Sequence, residues 1–285
     1  MTVHVRAYAK LNLYLDVLGV RSDGLHEIES LVQTIDLADR IEIRPSPTIS
    51  VSCSTVLSGP NIAEAAVSKL FQEKKVRAGI QIRIDKRIPI GAGLGGGSSD
   101  AAAVLAVINQ IVPPRISDMR LAMIAESIGA DVPLFLRGGC VSLRGLGSPE
   151  ATHPLRSETF VLLVPEIHCS TKDVFQNWRS DDAVDPEKPL GRNNLAPAAQ
   201  RLHSELQTAA HMVGTLGGDY AGMTGSGSAH FAAFSDPMRA RSAYEQLTRQ
   251  QPASRVYYCH PTRTGFAVPK ASGFQRRGLG YADCD

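Results

Sequence analysis

The chain has 285 residues, 43% of them hydrophobic and 20% charged, with a formal net charge of +2. That length suits one large domain or two modest ones with a sizeable core, and the near-neutral charge excludes a global field for nucleic acid or a membrane surface. Five cysteines, Cys53, Cys140, Cys169, Cys259 and Cys284, lie far apart without a C-x-x-C pair, and no apolar run reaches membrane-spanning length. With no basic-then-apolar pattern at Met1 to Arg6, the expectation is a soluble, cytoplasmic protein with reduced structural thiols.

Val3 to Val17 alternates apolar and polar residues in places, the period of a half-buried strand, and Ile41 to Arg44, Ile49 to Cys53 and Ile80 to Ile84 do the same. These four read as antiparallel-type strands with one wet face. Asn61, with Glu64 three residues on, resembles a capping box opening a helix to about Phe71. A helix from Ala101 to Ile111 is apolar nearly all round and reads as central. Ser117 caps the next helix, which Gly129 ends. Past Gly147 come a strand at Phe160 to Val164 and a long loop from Asn177 to Asn193 holding Trp178, the only tryptophan. A helix from Leu195 to about Met212, a strand from Ala229 to Phe234, a helix from Asp236 to Gln250 and a strand from Arg255 to Cys259 complete the pattern. The mixture predicts α+β in two lobes, 1–150 and 151–262, and a weakly patterned tail, 263–285, read as a disordered segment.

Pro89-Ile90-Gly91-Ala92-Gly93-Leu94-Gly95-Gly96-Gly97-Ser98-Ser99-Asp100-Ala101 is the densest signal. Glycines let a ligand approach the backbone, and a helix start offers unpaired N–H groups and a positive dipole end, a cradle for phosphate. Gly91-x-Gly93-x-x-Gly96 spells a dinucleotide fingerprint. However, the strand before it alternates, and Val112-Pro113-Pro114 stands where the next central strand belongs. No Gly-Lys-Ser/Thr follows, and the H-R-D and D-F-G motifs of protein kinases are missing. A turn without ligand fits poorly with so many small residues leading straight into a helix.

The same segment resembles the ATP loop of the GHMP kinases, small-molecule kinases acting on galactose, homoserine, mevalonate and phosphomevalonate. The triple glycine before Ser98-Ser99-Asp100-Ala101 is closest to a branch whose acceptor is a diphosphocytidyl alcohol of isoprenoid biosynthesis. Ala9-Lys10-Leu11-Asn12-Leu13, Gly129-Ala130-Asp131-Val132-Pro133 and Met223-Thr224-Gly225-Ser226-Gly227-Ser228-Ala229 match other motifs of that branch, in order, from about Ala7 to about Pro261.

The resemblance implies a ribosomal-protein-S5-domain-2-like N-terminal lobe that binds ATP through a left-handed β-α-β unit, and a ferredoxin-like C-terminal lobe on the substrate side. It implies transfer of the γ-phosphoryl of ATP, with Mg²⁺, to a small-molecule hydroxyl, in a monomer or homodimer with no nucleic-acid or membrane partner. The ATP side would comprise Asn61, Lys86, Pro89, Gly91, Gly93, Leu94, Gly95, Gly96, Gly97, Ser98, Ser99 and Asp100, with Ser99 a candidate Mg²⁺ ligand. Asp131 would take the hydroxyl proton and Lys10 would sit beside it. Asn12, Leu25, His26, Thr171 and Phe175 would contact the substrate.

Local readings compete with these roles. Asp131, Asn61, Ser98 and Ser99 can be helix caps, Lys10 an exposed strand-end residue, Lys86 a solvated lysine, and Phe175 a core residue. The Gly225–Ser228 cluster is either an anion-binding nest or a tight hairpin turn. Leu25 stands where that branch has a tyrosine stacked on the cytosine, so the acceptor could instead be homoserine, mevalonate or a sugar. A non-catalytic binding protein on the same fold is the remaining rival.

Overall fold

The computed structural model describes residues 2–55, 61–182, 189–251 and 254–269. β1 (Val3–Val20) and β2 (His26–Ser46) form a long antiparallel hairpin whose pairing runs from Val3↔Ile43 to Val20↔His26. Only Ile41–Arg44 of β2 was legible in sequence. Val32, Gln33, Thr34 and Ile35 are buried one after another, because this part of the sheet has helices on one face and the second lobe on the other. A strand covered on both faces loses its period-two pattern.

β3 (Ser50–Cys53) leads through α1 (Ile62–Lys74) to β4 (Gly79–Asp85), and β3 and β4 pair in parallel. This corrects the expectation of antiparallel strands throughout: a parallel neighbour needs a crossover, and α1 supplies it. α2 (Gly96–Ile111) starts inside the glycine run, five residues before the expected Ala101, with Gly95 rather than a serine at its N-cap. α3 (Asp118–Glu126) opens where Ser117 accepts from the Arg120 N–H, and α4 (Val132–Arg137) follows Asp131. β5 (Cys140–Gly145) pairs with β2, and β6 (Ser148–His153) with β5, so the first sheet runs past residue 150 to His153.

The second sheet has β7 (Thr159–Val164), then α5 (Thr171–Gln176), α6 (Ala196–Leu202) and α7 (Glu205–Gly214), then β8 (Tyr220–Met223), β9 (His230–Phe234), α8 (Pro237–Gln250) and β10 (Arg255–Cys259). Its order is β10-β7-β9-β8, antiparallel throughout, which is the ferredoxin-like split β-α-β arrangement. The helix expected from Leu195 to Met212 is two, because His203 leaves α6 in extended backbone. β11 (Phe266–Ala267) returns to pair with β1, so the start of the expected tail belongs to the first sheet; residues 270–285 lie outside the described residues. The two-lobed α+β class is as expected.

One core lies between the first sheet and α1–α4. A second joins the lobes: Ala9, Leu11, Leu13, Ile88 and Leu94 pack with Phe160, Leu162 and Phe231. The middle of β1 and the glycine loop are thereby fixed against the second lobe, along the line where the site forms.

Candidate active site

A cleft of about 620 Å³ opens between the lobes. Its floor is the glycine loop. Gly93 and Gly95 have φ of +73° and +71°. A Cβ on Gly93 would fall 2.1 Å from the Thr224 carbonyl oxygen, and one on Gly95 would fall 2.8 Å from Phe135 Cζ. Only glycine combines that backbone with that closeness. The loop is held from both sides: the Lys10 N–H donates to Leu94 O (3.1 Å), and the Ala229 N–H to Ala92 O (3.2 Å). The segment after β8 is a hairpin turn, with the Thr224 N–H donating to Ala229 O (3.0 Å), and it docks on the glycine loop.

α2 begins at the end of this loop with no acidic residue in its first turn, leaving its positive end uncompensated beside the cleft. Ser98 lines the cleft, while Ser99 is fully buried and its hydroxyl has no partner. Neither serine is the helix cap. Asn61 lines the cleft and does cap α1, accepting from the Ala63 N–H (3.0 Å); its amide also donates to Cys53 Sγ (3.1 Å).

Lys86 is not a solvated lysine. Its side chain is 6% exposed, and its ammonium bridges Asp39 and Asp100, the latter at 2.7 Å. Burial alone would lower its pKa, but Asp100 and Asp39 reverse the sign and raise it. The Asp100 carboxyl is pushed upward, chiefly by burial, with Lys86 opposing.

Lys10, on β1, is 4% exposed, so the strand-end reading fails. Its ammonium donates to Asn12 Oδ1. Asn12 is itself fixed, its amide donating to Ser30 Oγ (2.8 Å) and its N–H to Thr224 Oγ1 (2.9 Å). Burial pushes the Lys10 pKa down, and the Asp131 charge pulls against it. Asp131 occupies the N-cap position of α4 but makes no side-chain capping bond, which leaves its carboxylate free to face the cleft it lines.

From the second lobe, Thr171 and Phe175 of α5 line the cleft, and Thr171 Oγ1 lies 3.0 Å from Ser226 Oγ. His26 and Leu25 do not line it. The His26 ring sits 5.0 Å from the Phe175 ring and 5.6 Å from that of Trp178, edge-on to the latter. Leu25 is 51% exposed in the turn between β1 and β2. The structure therefore gathers Asn12, Thr171 and Phe175 at the cleft, sets His26 behind Phe175, and leaves Leu25 outside. Sequence reasoning missed Asp39, Leu146 and Gly147. Asp39 lies 47 positions from its lysine, and the other two sit in the unanticipated β5–β6 turn. Among the described residues no helix is long and apolar enough to cross a membrane, and no group of three or more His, Cys, Asp or Glu side chains could hold a metal ion.

Residues 61–139 match the GHMP kinases N terminal domain and residues 175–253 the GHMP kinases C terminal domain. The chain is 38% identical over 277 residues to a 4-diphosphocytidyl-2-C-methyl-D-erythritol kinase of Citrifermentans bemidjiense, spanning 90% of this chain and 97% of that one. A protein of the same name from Thermoanaerobacter pseudethanolicus is 33% identical over 268 residues, 86% of this chain and 92% of its own. Among solved structures, a 4-(cytidine 5'-diphospho)-2C-methyl-D-erythritol kinase superposes with a TM-score of 0.78 at 33% identity, over 91% of this chain and 98% of that one. A homoserine kinase from Cytophaga hutchinsonii, 19% identical with a TM-score of 0.74 over 94% of this chain and 97% of its own, shares the fold.

Proposed function

The chain belongs to the GHMP kinases and, within them, to the 4-diphosphocytidyl-2-C-methyl-D-erythritol kinase family, and we propose that it transfers the γ-phosphoryl of ATP to the 2-hydroxyl of 4-diphosphocytidyl-2-C-methyl-D-erythritol, giving the 2-phosphate and ADP. It is an ATP-dependent small-molecule kinase by that membership. The observation that carries the reading is the meeting, in one cleft, of a glycine loop running into an uncompensated helix start with a buried lysine and a carboxylate free of its capping bond.

Phosphoryl transfer asks a protein mainly for positioning and charge stabilisation. Backbone N–H groups from Gly93 to Ser98 would hold the β- and γ-phosphates, the Ser99 N–H being spent on Gly95 O (2.9 Å), with Asn61 and Lys86 toward the adenine end. Ser98, which lines the cleft, would offer its hydroxyl to Mg²⁺, whereas Ser99 is fully buried and does not line the cleft; when bound, the ion would supply further charge neutralisation on the phosphates. Asp131 would accept the proton of the attacking hydroxyl, whose oxygen forms the new P–O bond as the bond to ADP breaks. Lys10, aimed by Asn12, would neutralise the oxygen that is losing its proton. On the acceptor side, Phe175 with His26 behind it would hold the cytosine, and Thr171 and Ser226 its polar attachments.

A second reading, in which the same chemistry serves another alcohol, comes from Leu25, which stands where the resemblance implies a tyrosine. ADP release measured with the cytidine compound, homoserine, mevalonate and galactose separates the two. Turnover is expected on the cytidine compound alone. Turnover confined to one of the others overturns the assigned acceptor and leaves the kinase chemistry standing.

A further inference from the structure

Asp39 is fully buried on β2, with none of its side chain exposed. Its Oδ1 accepts from two successive backbone groups, the Arg87 N–H (2.5 Å) and the Ile88 N–H (2.8 Å), and its Oδ2 from the Lys86 ammonium. The Lys86 N–H is held in turn by Ser54 Oγ (2.9 Å). The three residues that lead out of β4 into the glycine loop are therefore fixed to the strand behind them. The same ammonium donates to Asp100 Oδ2, in the helix that leads away from the loop (2.7 Å). The loop's entrance and exit are tied together at one nitrogen, with Asp39 as the fixed post.

The loop between these ties is pinned at Ala92 O by the Ala229 N–H and at Leu94 O by the Lys10 N–H, and this clasp adds a tie at its base. Gly91, Gly93 and Gly95 all have positive φ and bring no side chains of their own to restrain it. The packing at its base is close: a Cβ on Gly96 would lie 3.0 Å from Ile88 Cγ2 and 3.3 Å from Lys86 Nζ. A shift of the Lys86–Ile88 segment would reach the first residue of α2. Burying one ammonium between two carboxylates is a costly way to gain stability alone, since desolvation offsets much of the attraction. Its geometric result is a loop ordered before ligand arrives, which removes part of the ordering cost of binding.

We propose that Asp39, acting through Lys86 on Asp100, is a positioning residue that clasps the base of the glycine loop and pre-organises it for the nucleotide. The proposal rests on the reading of that loop as the nucleotide site. Asp39 touches no substrate; it sets where Lys86 and the loop N–H groups stand.

The test is titration of a non-hydrolysable ATP analogue with Mg²⁺ against the full chain, for wild type, Asp39→Asn, Lys86→Met and the double variant, with thermal midpoints and the KM of the alcohol acceptor measured alongside. Asp39→Asn keeps an acceptor for the two N–H groups and removes the charge that holds the lysine. Each single variant is expected to weaken the analogue by about tenfold or more. Because both act through one clasp, the double variant should be no worse than the poorer single. Acceptor KM should stay within about twofold, which a general loss of structure would not allow. Analogue affinity unchanged in a folded single variant, multiplicative losses in the double, or parallel losses on the acceptor side overturn the clasp. Should Asp39→Asn fail to fold, the isosteric Asp100→Asn variant tests the same tie from its other end. A wild type that binds the analogue but does not turn over the cytidine compound refutes the assigned acceptor alone. A wild type that does not bind it refutes the nucleotide site and the clasp with it.

Discussion

Lys10 and Asp131 bring opposite charges to the same cleft and are prepared in opposite ways. Lys10 is buried and aimed by Asn12, while Asp131 stands at a helix start without spending its carboxylate on the cap. Replacing Asp131 with Ala should therefore cost kcat at least about a hundredfold, the lower range for loss of a general base, with the nucleotide still bound. Near-normal turnover by the folded variant would remove Asp131 from the chemistry. The acceptor side makes a second test at this scale. Phe175 lines the cleft and carries the His26 ring at 5.0 Å, whereas Leu25 is 51% exposed in a turn. Phe175→Ala should raise the KM for the cytidine compound several-fold, in line with about 0.5–1.5 kcal/mol of lost ring contact beyond area, and Leu25→Ala should leave it unchanged. Equal effects would mean that the turn closes over the cleft when substrate binds.

Elements differ in how far their sequence betrays them. The glycine loop was legible because its chemistry is local: positive φ and close approach demand glycine wherever the rest of the chain goes. The middle of β2 was hidden because Val32 to Ile35 are covered on both faces, and covering erases alternation. The β5–β6 hairpin was missed because its outer strand, Ser148–His153, is mostly exposed and carries no apolar pattern. Asp39 was unreadable for a third reason: an aspartate on a strand looks solvated until the partner 47 residues away is known. Neighbouring glycines give a contrast at this scale. Gly95 sits at φ +71° against Phe135, whereas Gly97 lies within α2 and a Cβ there would make ordinary contact with Ile62 at 3.6 Å. In chemical denaturation Gly95→Ala should lose more than about 1 kcal/mol, from left-handed strain plus the clash. Gly97→Ala should be neutral or gain up to about 1 kcal/mol. Matching losses would show that the loop adjusts freely and that its shape is not set by Gly95.

At the scale of the whole molecule, the lobes share a core, and the segment joining them carries a charge pair. Glu158 accepts from Arg156 Nε (3.1 Å) and from its own neighbour, the Ser157 N–H (3.0 Å), and Tyr220 of β8 donates to it (3.3 Å). Burial alone would raise the Glu158 pKa; the Arg156 guanidinium and the backbone N–H groups outweigh it and hold the carboxyl below its ordinary value of 4.5. An acid with a depressed folded pKa stabilises the fold above its unfolded value and loses that contribution as pH falls through the folded one. Glu158→Gln should thus lower the thermal midpoint at pH 7, and the gap to wild type should close as the pH drops below 4.5. A gap that persists unchanged into acid would show that the carboxylate's charge is not what stabilises the joining segment against β8.

Transfer of a phosphoryl group from ATP onto an alcohol has one direct readout. Phosphorus NMR of the purified chain with ATP, Mg²⁺ and 4-diphosphocytidyl-2-C-methyl-D-erythritol reads that transfer directly. Loss of the γ-phosphate signal, growth of ADP, and one new phosphomonoester resonance equal to the ADP formed are expected, with the cytidine diphosphate signals retained. ADP accompanied only by inorganic phosphate, or an unchanged ATP spectrum, would contradict transfer to the alcohol.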